Sequence, residues 1–166
     1  YQRYSDGQMF NNQIDLYDTV ENNENFFIMI EEAYIDKHCH SNDAQNAYLA
    51  MLRFNQAIAL FMEYAFYHPD TMVIITADHE TGGLQIADNG EFYYTTGNHT
   101  ATNVPVFAYG ANAEVFDGQT IENTQIPKTV AALFGVEVAG NNPLQHPALL
   151  PVLFRRQRRF RSLLFS

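Results

Sequence analysis

One cysteine, Cys39, is too few for an internal disulfide, so no covalent staple holds this 166-residue chain together, and the redox compartment stays undetermined. No apolar stretch approaches the ~20 residues that a membrane-spanning helix needs, and no charged, then apolar, then small-residue leader opens the chain at Tyr1. The chain is therefore expected neither to span a membrane nor to show its own export signal. A missing leader carries little weight in a chain that begins on tyrosine. Positive charge is scarce as well. Only Arg3, Lys37, Arg53 and Lys128 precede Arg155, against all 19 acidic residues, which leaves the body at a net −15. Phosphate backbones need Lys and Arg patches, so nucleic acid is not an expected partner. Divalent metal ions are the partners such a body attracts.

What is present fits one domain with a real core. FFIMI and TMVIIT read as buried strands, FYYTT after Asn89-Gly90 as a short one, and VPVFAYG as another. From Asn42 or Asp43 as cap, Ala47, Met51, Phe54, Ile58, Phe61 and Ala65 recur at helical spacing, and Pro69 ends the run. Thr124 caps a last helix in NTQIPKTVAALFG, with Gly135 as its stop. The first 25 residues are polar, with a short helix expected around residues 14–20. Alternating strands and helices with continuous apolar runs predict an α/β fold: a largely parallel sheet with helices on both faces. Residues 1–140 read as the folded part. Residues 141–166 read as a linker followed by a basic apolar tail of unknown role, in which Arg155, Arg156, Arg158, Arg159 and Arg161 carry a net +5. An amphipathic helix touching an anionic membrane is one reading of that tail, but membrane contact is not the expected one.

The chemistry-bearing residues fall in three clusters: Glu31, Asp36 and His40 in EEAYIDKHCH, Asp78 and His79 in TMVIITADHE, and His99 in TTGNHT. Groups at strand ends of an open α/β sheet can converge on one crevice. Zinc favours mixed His and carboxylate ligands. Asp36 and His40 stand four apart, so on a helical turn they share a face, although such a pair taken alone also suits a solvated helix start. His38 reads as exposed and Cys39 as a small packing residue. Asp78 and His79 can serve one ion only if the chain turns after them, and Gly82-Gly83 supplies a turn. An unpaired Asp buried at a strand end would be costly, which favours the metal reading. Glu80 reads as a supporting or surface residue, and His99 alone could be an ordinary loop histidine.

IDKHCH, then TADHETGG, then GNHT, in that order, resembles the carboxyl-terminal part of the bacterial alkaline phosphatases over roughly residues 26–135. The resemblance implies a phosphomonoester hydrolase, periplasmic or extracellular, that forms a homodimer at full length. It implies two zinc ions and one magnesium. Asp36, His40 and His99 match the ligands of one zinc, Asp78 and His79 two ligands of the other, and Glu31 a ligand of the magnesium. Lys37 matches a position where some members carry a Lys that contacts phosphate through water. In the family the two zinc ions share one phosphate, one activating the serine nucleophile and then a water, the other stabilising the leaving alkoxide.

Departures are equally specific. Glu31-Glu32-Ala33 stands where the family has Glu-Gly, adding a side chain where the backbone is expected to be tight, and Asn55 stands where Asp is common. The family's serine nucleophile, phosphate-clamping arginine and bridging aspartate find no match, since Ser5 precedes Asp6-Gly7 with no apolar strand before it. No catalytic nucleophile is identified, and the chain reads as the metal-rich part of an enzyme that is inactive in isolation. Two alternatives stand beside it: a phosphodiesterase or metal-dependent phosphomutase of the same superfamily, and a non-catalytic zinc-binding remnant.

Overall fold

The computed structural model describes residues 25–136 and 150–156. The helix expected near residues 14–20, Ser5, most of the linker and the end of the basic tail lie outside the described residues. Strand β1 (Asn25–Met29) leads into helix α1 (Ala33–His40) and the long helix α2 (Ala44–Tyr67). Strand β2 (Thr71–Thr76) follows, and then four short strands: β3 (Glu80–Thr81), β4 (Leu84–Ile86), β5 (Phe92–Tyr94) and β6 (His99–Thr100). Strand β7 (Val106–Gly110), a single 3-10 turn, helix α3 (Gln125–Phe134) and strand β8 (Leu150–Arg156) complete the described fold.

Helix boundaries follow local chemistry. The Asp43 carboxylate accepts from the Asn46 backbone N–H and caps α2. Gly135 takes the left-handed conformation, φ 73°, that closes α3. Glu32 caps α1 by accepting from Tyr34 N at 2.9 Å, and its φ of −108° is open to any residue. The tightness expected at Glu32 is therefore not found, because its side chain spends itself on the helix start.

Strand β2 organises the core by alternation. Val73 packs with Phe26 of β1 and with Ala57, Phe61, Tyr64 and Ala65 of α2. Met72 and Ile74 turn to the other face and pack with Ile126 and Val130 of α3. Helices thus cover both faces, as expected for the α/β class. Each of these fully buried aliphatic side chains contributes about 1.5–3 kcal/mol, so β2 is the most firmly held element and its carboxyl end is a fixed point. Asn55 lies exposed on α2, away from this core.

The expected parallel ladder is not observed. The four-stranded sheet has the order β1-β8-β2-β7, and every pairing in it is antiparallel. Strands β1 and β2 do share a direction, as strand-helix-strand connectivity predicts, but β8 runs between them against both. Residues 150–156 of the tail therefore form an interior strand, with no helix over that stretch. Strand β7 is antiparallel to β2 because the chain returns directly after the short strands. No helix among the described residues is long and apolar enough to cross a membrane.

Candidate metal centre

Thr76 ends β2 and its hydroxyl donates to Pro105 O at 3.1 Å, which ties that end to the approach of β7. Asp78 and His79 come next, half-buried, with the Asn123 amide donating to Asp78 O at 2.5 Å. The chain then reverses through Gly82 and Gly83, both at positive φ (91° and 56°). A Cβ on Gly82 would strike the Tyr94 ring, and one on Gly83 the Thr95 hydroxyl, so only glycine fits this reversal. Glu80 holds the reversal shut. Its carboxylate accepts from Gly83 N at 3.2 Å, Leu84 N at 3.3 Å and the Thr100 hydroxyl.

Pairing of β3 with β6 sets Thr81 opposite His99. Across from them, α1 presents Asp36 and His40 one turn apart. Three ligand atoms meet there. His40 Nε2 lies 3.0 Å from His99 Nε2 and 3.4 Å from Asp36 Oδ1, and His99 Nε2 lies 3.6 Å from that same oxygen. Around a tetrahedral zinc with bonds near 2.0–2.1 Å, ligand atoms stand ~3.3 Å apart, so the triangle has the size of one face of such a site. Asp36, His40 and His99 are the group of His, Cys and acidic residues that converges to within 4.8 Å among the described residues.

Ring orientation gives an independent test. His40 Nδ1 donates to Gly97 O at 2.6 Å, so in the neutral ring Nε2 carries the lone pair and points it into the triangle. Close approach by the loop makes this possible, since a Cβ on Gly97 would sit 3.2 Å from His40 O. The Thr81 hydroxyl donates its one proton to Asp36 Oδ1 at 2.6 Å, so His79 Nδ1, 3.1 Å away, is the donor to it. His79 Nε2 is then a lone pair as well. It is buried without a hydrogen-bond partner, and although Asp78 Oδ2 lies 3.1 Å away, the two do not meet in hydrogen-bond geometry. A buried acceptor facing a half-buried carboxylate is a place where a cation would satisfy both. The donor set fits zinc.

Five of the six expected ligands are thus brought together. Asp36, His40 and His99 form the triangle. His79 stacks on His99 with ring centroids 3.5 Å apart, and Asp78 adjoins His79. Glu31 lies exposed at the end of β1, outside this group, and not buried as its place after a strand suggests. Lys37 is exposed and sets its ammonium over the Tyr34 ring, 4.3 Å from the centroid. His38 is half-buried where exposure is expected, with its ring 5.8 Å from that of Tyr34. Cys39 is buried and accepts from the Tyr94 hydroxyl at 3.6 Å, as a packing residue should. Burial pushes the Cys39 thiol pKa up, outweighing the Tyr94 hydrogen bond, and Asp36 and Glu80 push the same way. Burial raises Tyr94 as well.

The family model for alkaline phosphatase matches residues 5–95. The chain belongs to the alkaline phosphatase family. The match starts well before the region in which the sequence motifs lie, and it takes in Glu31, Asp36, Lys37, His40, Asp78 and His79. Among curated relatives, alkaline phosphatase 4 of Bacillus subtilis is 42% identical over 43% of this chain and 15% of its own length. Streptomycin-6-phosphate phosphatase of Streptomyces griseus is 31% identical over 67% of this chain and 30% of its own length. A solved structure of a TAB5 alkaline phosphatase mutant with magnesium bound superposes with a TM-score of 0.59 at 31% identity, covering 64% of this chain and 35% of that one. This alkaline phosphatase family chain spans well under half the length of the relatives it matches.

Thr81, Gly97 and Asn123 hold the ligands, and none stands out in the sequence as a metal residue. Thr81 was detectable in principle, because two residues beyond His79 in an extended segment a side chain returns to the same side.

Proposed function

We propose that this chain is the metal-binding portion of a phosphomonoester hydrolase. Asp36, His40 and His99 would hold one zinc, Asp78 and His79 would contribute to a second, and Glu31 would serve a magnesium. The observation that carries the reading is the triangle of Asp36 Oδ1, His40 Nε2 and His99 Nε2, with edges of 3.0, 3.4 and 3.6 Å. The buried lone pair of His79 beside Asp78 supports the second position. Bound there, the ions would polarise phosphate oxygens and lower the pKa of a hydroxyl or water at the site. The chain's own part is to aim the Nε2 lone pairs of His40 and His79 inward, to hold those two rings by Gly97 and Thr81, to bring His99 beside them on β6, and to leave the triangle open to solvent on one side. Lys37 needs to leave the Tyr34 ring to approach a phosphate.

A monoester substrate is favoured by the Streptomyces relative, a streptomycin-6-phosphate phosphatase. The full-length protein would be a periplasmic or extracellular homodimer, in keeping with the family and with the acidic body. Residues 1–140 would form the carboxyl-terminal part of the catalytic domain. The short span relative to the family favours a second reading, in which this chain binds zinc without turnover by itself. Metal analysis after dialysis against zinc, followed by assays with an aryl phosphate monoester and the matching diester, tests the proposal. Fewer than one zinc per chain would overturn it, and faster diester cleavage would move it to the phosphodiesterase alternative.

A further inference from the structure

We propose that Glu80 is a positioning residue: its carboxylate, on the side of the β3–β6 pair turned away from the ligands, fixes where His40 and His99 stand and so sets the geometry in which the triangle takes a metal ion. The inference rests on the metal reading above and deepens it. Strand alternation gives this ladder two faces. Thr81 and His99 pair on the face toward Asp36 and His79, so the neighbouring pair, Glu80 and Thr100, points the other way. Glu80 acts on the ligands only through the backbone that carries them.

Its bonds lie where the ladder is weakest. Strands β3 and β6 hold two residues each, too short a pair to keep its register by itself. Glu80 Oε2 accepts from Gly83 N at 3.2 Å and from the Thr100 hydroxyl, and Oε1 accepts from Leu84 N at 3.3 Å. One half-buried side chain thus ties the reversal after β3 to the residue that follows His99. The reversal in turn carries the loop that orients His40. Gly82 N donates to Asn98 O at 2.9 Å, and Gly82 O accepts from Thr95 N and Thr96 N, both at 3.1 Å. Between those anchors lies Gly97, whose carbonyl takes the His40 Nδ1 proton. Losing the carboxylate therefore loosens His40 and His99 together. Groups that orient metal ligands commonly account for about 10–100-fold in affinity.

The test is zinc titration calorimetry, with cobalt(II) absorption as the readout of coordination geometry, on the full chain and on Glu80→Gln, Thr100→Val, Thr100→Ser and the double variant Glu80→Gln/Thr100→Val. Glutamine keeps length and shape, but its amide N–H groups face a donor whichever way the side chain turns, since both carboxylate oxygens accept here. The expected result for Glu80→Gln is about a 10–100-fold weaker zinc affinity and an altered cobalt spectrum. Thr100→Val should shift both in the same direction, and Thr100→Ser, which keeps the hydroxyl, should restore them. The double variant should be no worse than Glu80→Gln alone, because Thr100 acts through Glu80. Glu91→Gln is the control, an exposed carboxylate that accepts from Asn89 at the β4–β5 turn, and it should match wild type. A wild-type affinity and cobalt spectrum in Glu80→Gln would overturn the positioning role even if that variant melts lower, since stability and not ligand geometry would then be what Glu80 supplies. Losses that simply add in the double variant would overturn the route through Thr100. No zinc uptake by the wild type would overturn the metal reading, and this proposal with it. Should Glu80→Gln fail to fold, wild-type affinity and spectrum in Thr100→Val would overturn the proposal.

Discussion

His40 and His99, 59 residues apart, aim their Nε2 atoms at each other across 3.0 Å. With Nδ1 of His40 donating to Gly97 O, the His40 nitrogen at this contact is an acceptor in the neutral ring. Backbone pairing of β3 with β6 brings in His99 and the end of α1 brings in His40. The fold has already ordered the ligands that a cation requires, which lowers the entropy cost of binding one.

Zinc uptake should therefore depend on these rings unequally with other histidines. The chain is expected to retain at least one zinc after dialysis, with His79→Ala or His99→Ala losing metal and His38→Ala retaining it. Loss of equal amounts from His38→Ala and His99→Ala, measured by elemental analysis, would contradict the assignment. His38 is the control because it packs beside Tyr34, outside the triangle.

Stripping the metal should lower heat stability. The triangle joins α1 to the β3–β6 pair, segments held together otherwise by few buried apolar groups, so binding energy there is folding energy for this part of the molecule. Chelator-treated chain at neutral pH is expected to melt below the zinc-loaded form. Equal melting temperatures by circular dichroism would show that the ligands are organised without any contribution from metal.

Much of this site is legible in the sequence where an apolar run ends in ligating residues. TMVIIT followed by Asp78, His79 and Gly82-Gly83 specifies a buried strand, a ligand pair and a reversal, because burial, chemistry and turn geometry all agree. The antiparallel sheet is less legible. Strand β8 comes from a proline-containing, basic stretch with no clear period, and inserting it between β1 and β2 is a tertiary choice that local pattern does not encode. Glu31 follows an apolar run and so reads as buried, yet β1 lies at the edge of the sheet formed by the described residues and Glu31, beyond its end, is exposed. Thr81 escapes notice for another reason: a hydroxyl that orients ligands looks in sequence like any strand threonine.

The α2 cap should make stability pH-dependent in acid. The Asn46 side-chain amide, at 2.6 Å, and then its backbone N–H, at 3.0 Å, hold the Asp43 carboxyl below its usual range. A depressed folded pKa contributes stability that is complete above the unfolded value near 4 and is lost as pH falls through the folded value. The melting gap between wild type and Asp43→Ala is expected at pH 7 and should shrink below pH ~4. In Asp43→Asn, which caps without titrating, the melting temperature should lack this acid-dependent component. A wild-type to Asp43→Ala gap that stays constant from pH 7 down to strong acid would remove the ionised cap from the account.

Cys39 should be inert in the folded chain. Its thiol is buried against Tyr94 and its pKa is raised by that burial, so little thiolate forms at neutral pH. Iodoacetamide is expected to modify it slowly until denaturant is added, then quickly. Rapid native-state labelling followed by mass spectrometry would show that α1 opens readily, and the triangle on that helix would then be a mobile arrangement.

Phosphomonoester hydrolysis by this chain alone should be negligible even when it is loaded with zinc and magnesium. The family route needs a serine nucleophile and an arginine clamp beside the metals, and the resemblance matches neither to a residue here. Among the described residues the one serine is Ser41, and its hydroxyl donates back to Lys37 O at 3.2 Å, in a helix-ending role that leaves it unactivated. Arg53 is likewise engaged along its own helix, donating to Leu49 O at 3.3 Å. Metal-held water could still attack a phosphate, but without a covalent intermediate or a positioned substrate it forgoes most of the rate that orientation supplies. An aryl phosphate assay at alkaline pH settles the matter. Turnover near ~10 per second, an ordinary enzyme value, would mean that a residue of this chain serves as nucleophile, and Ser5→Ala would then be the first variant to measure.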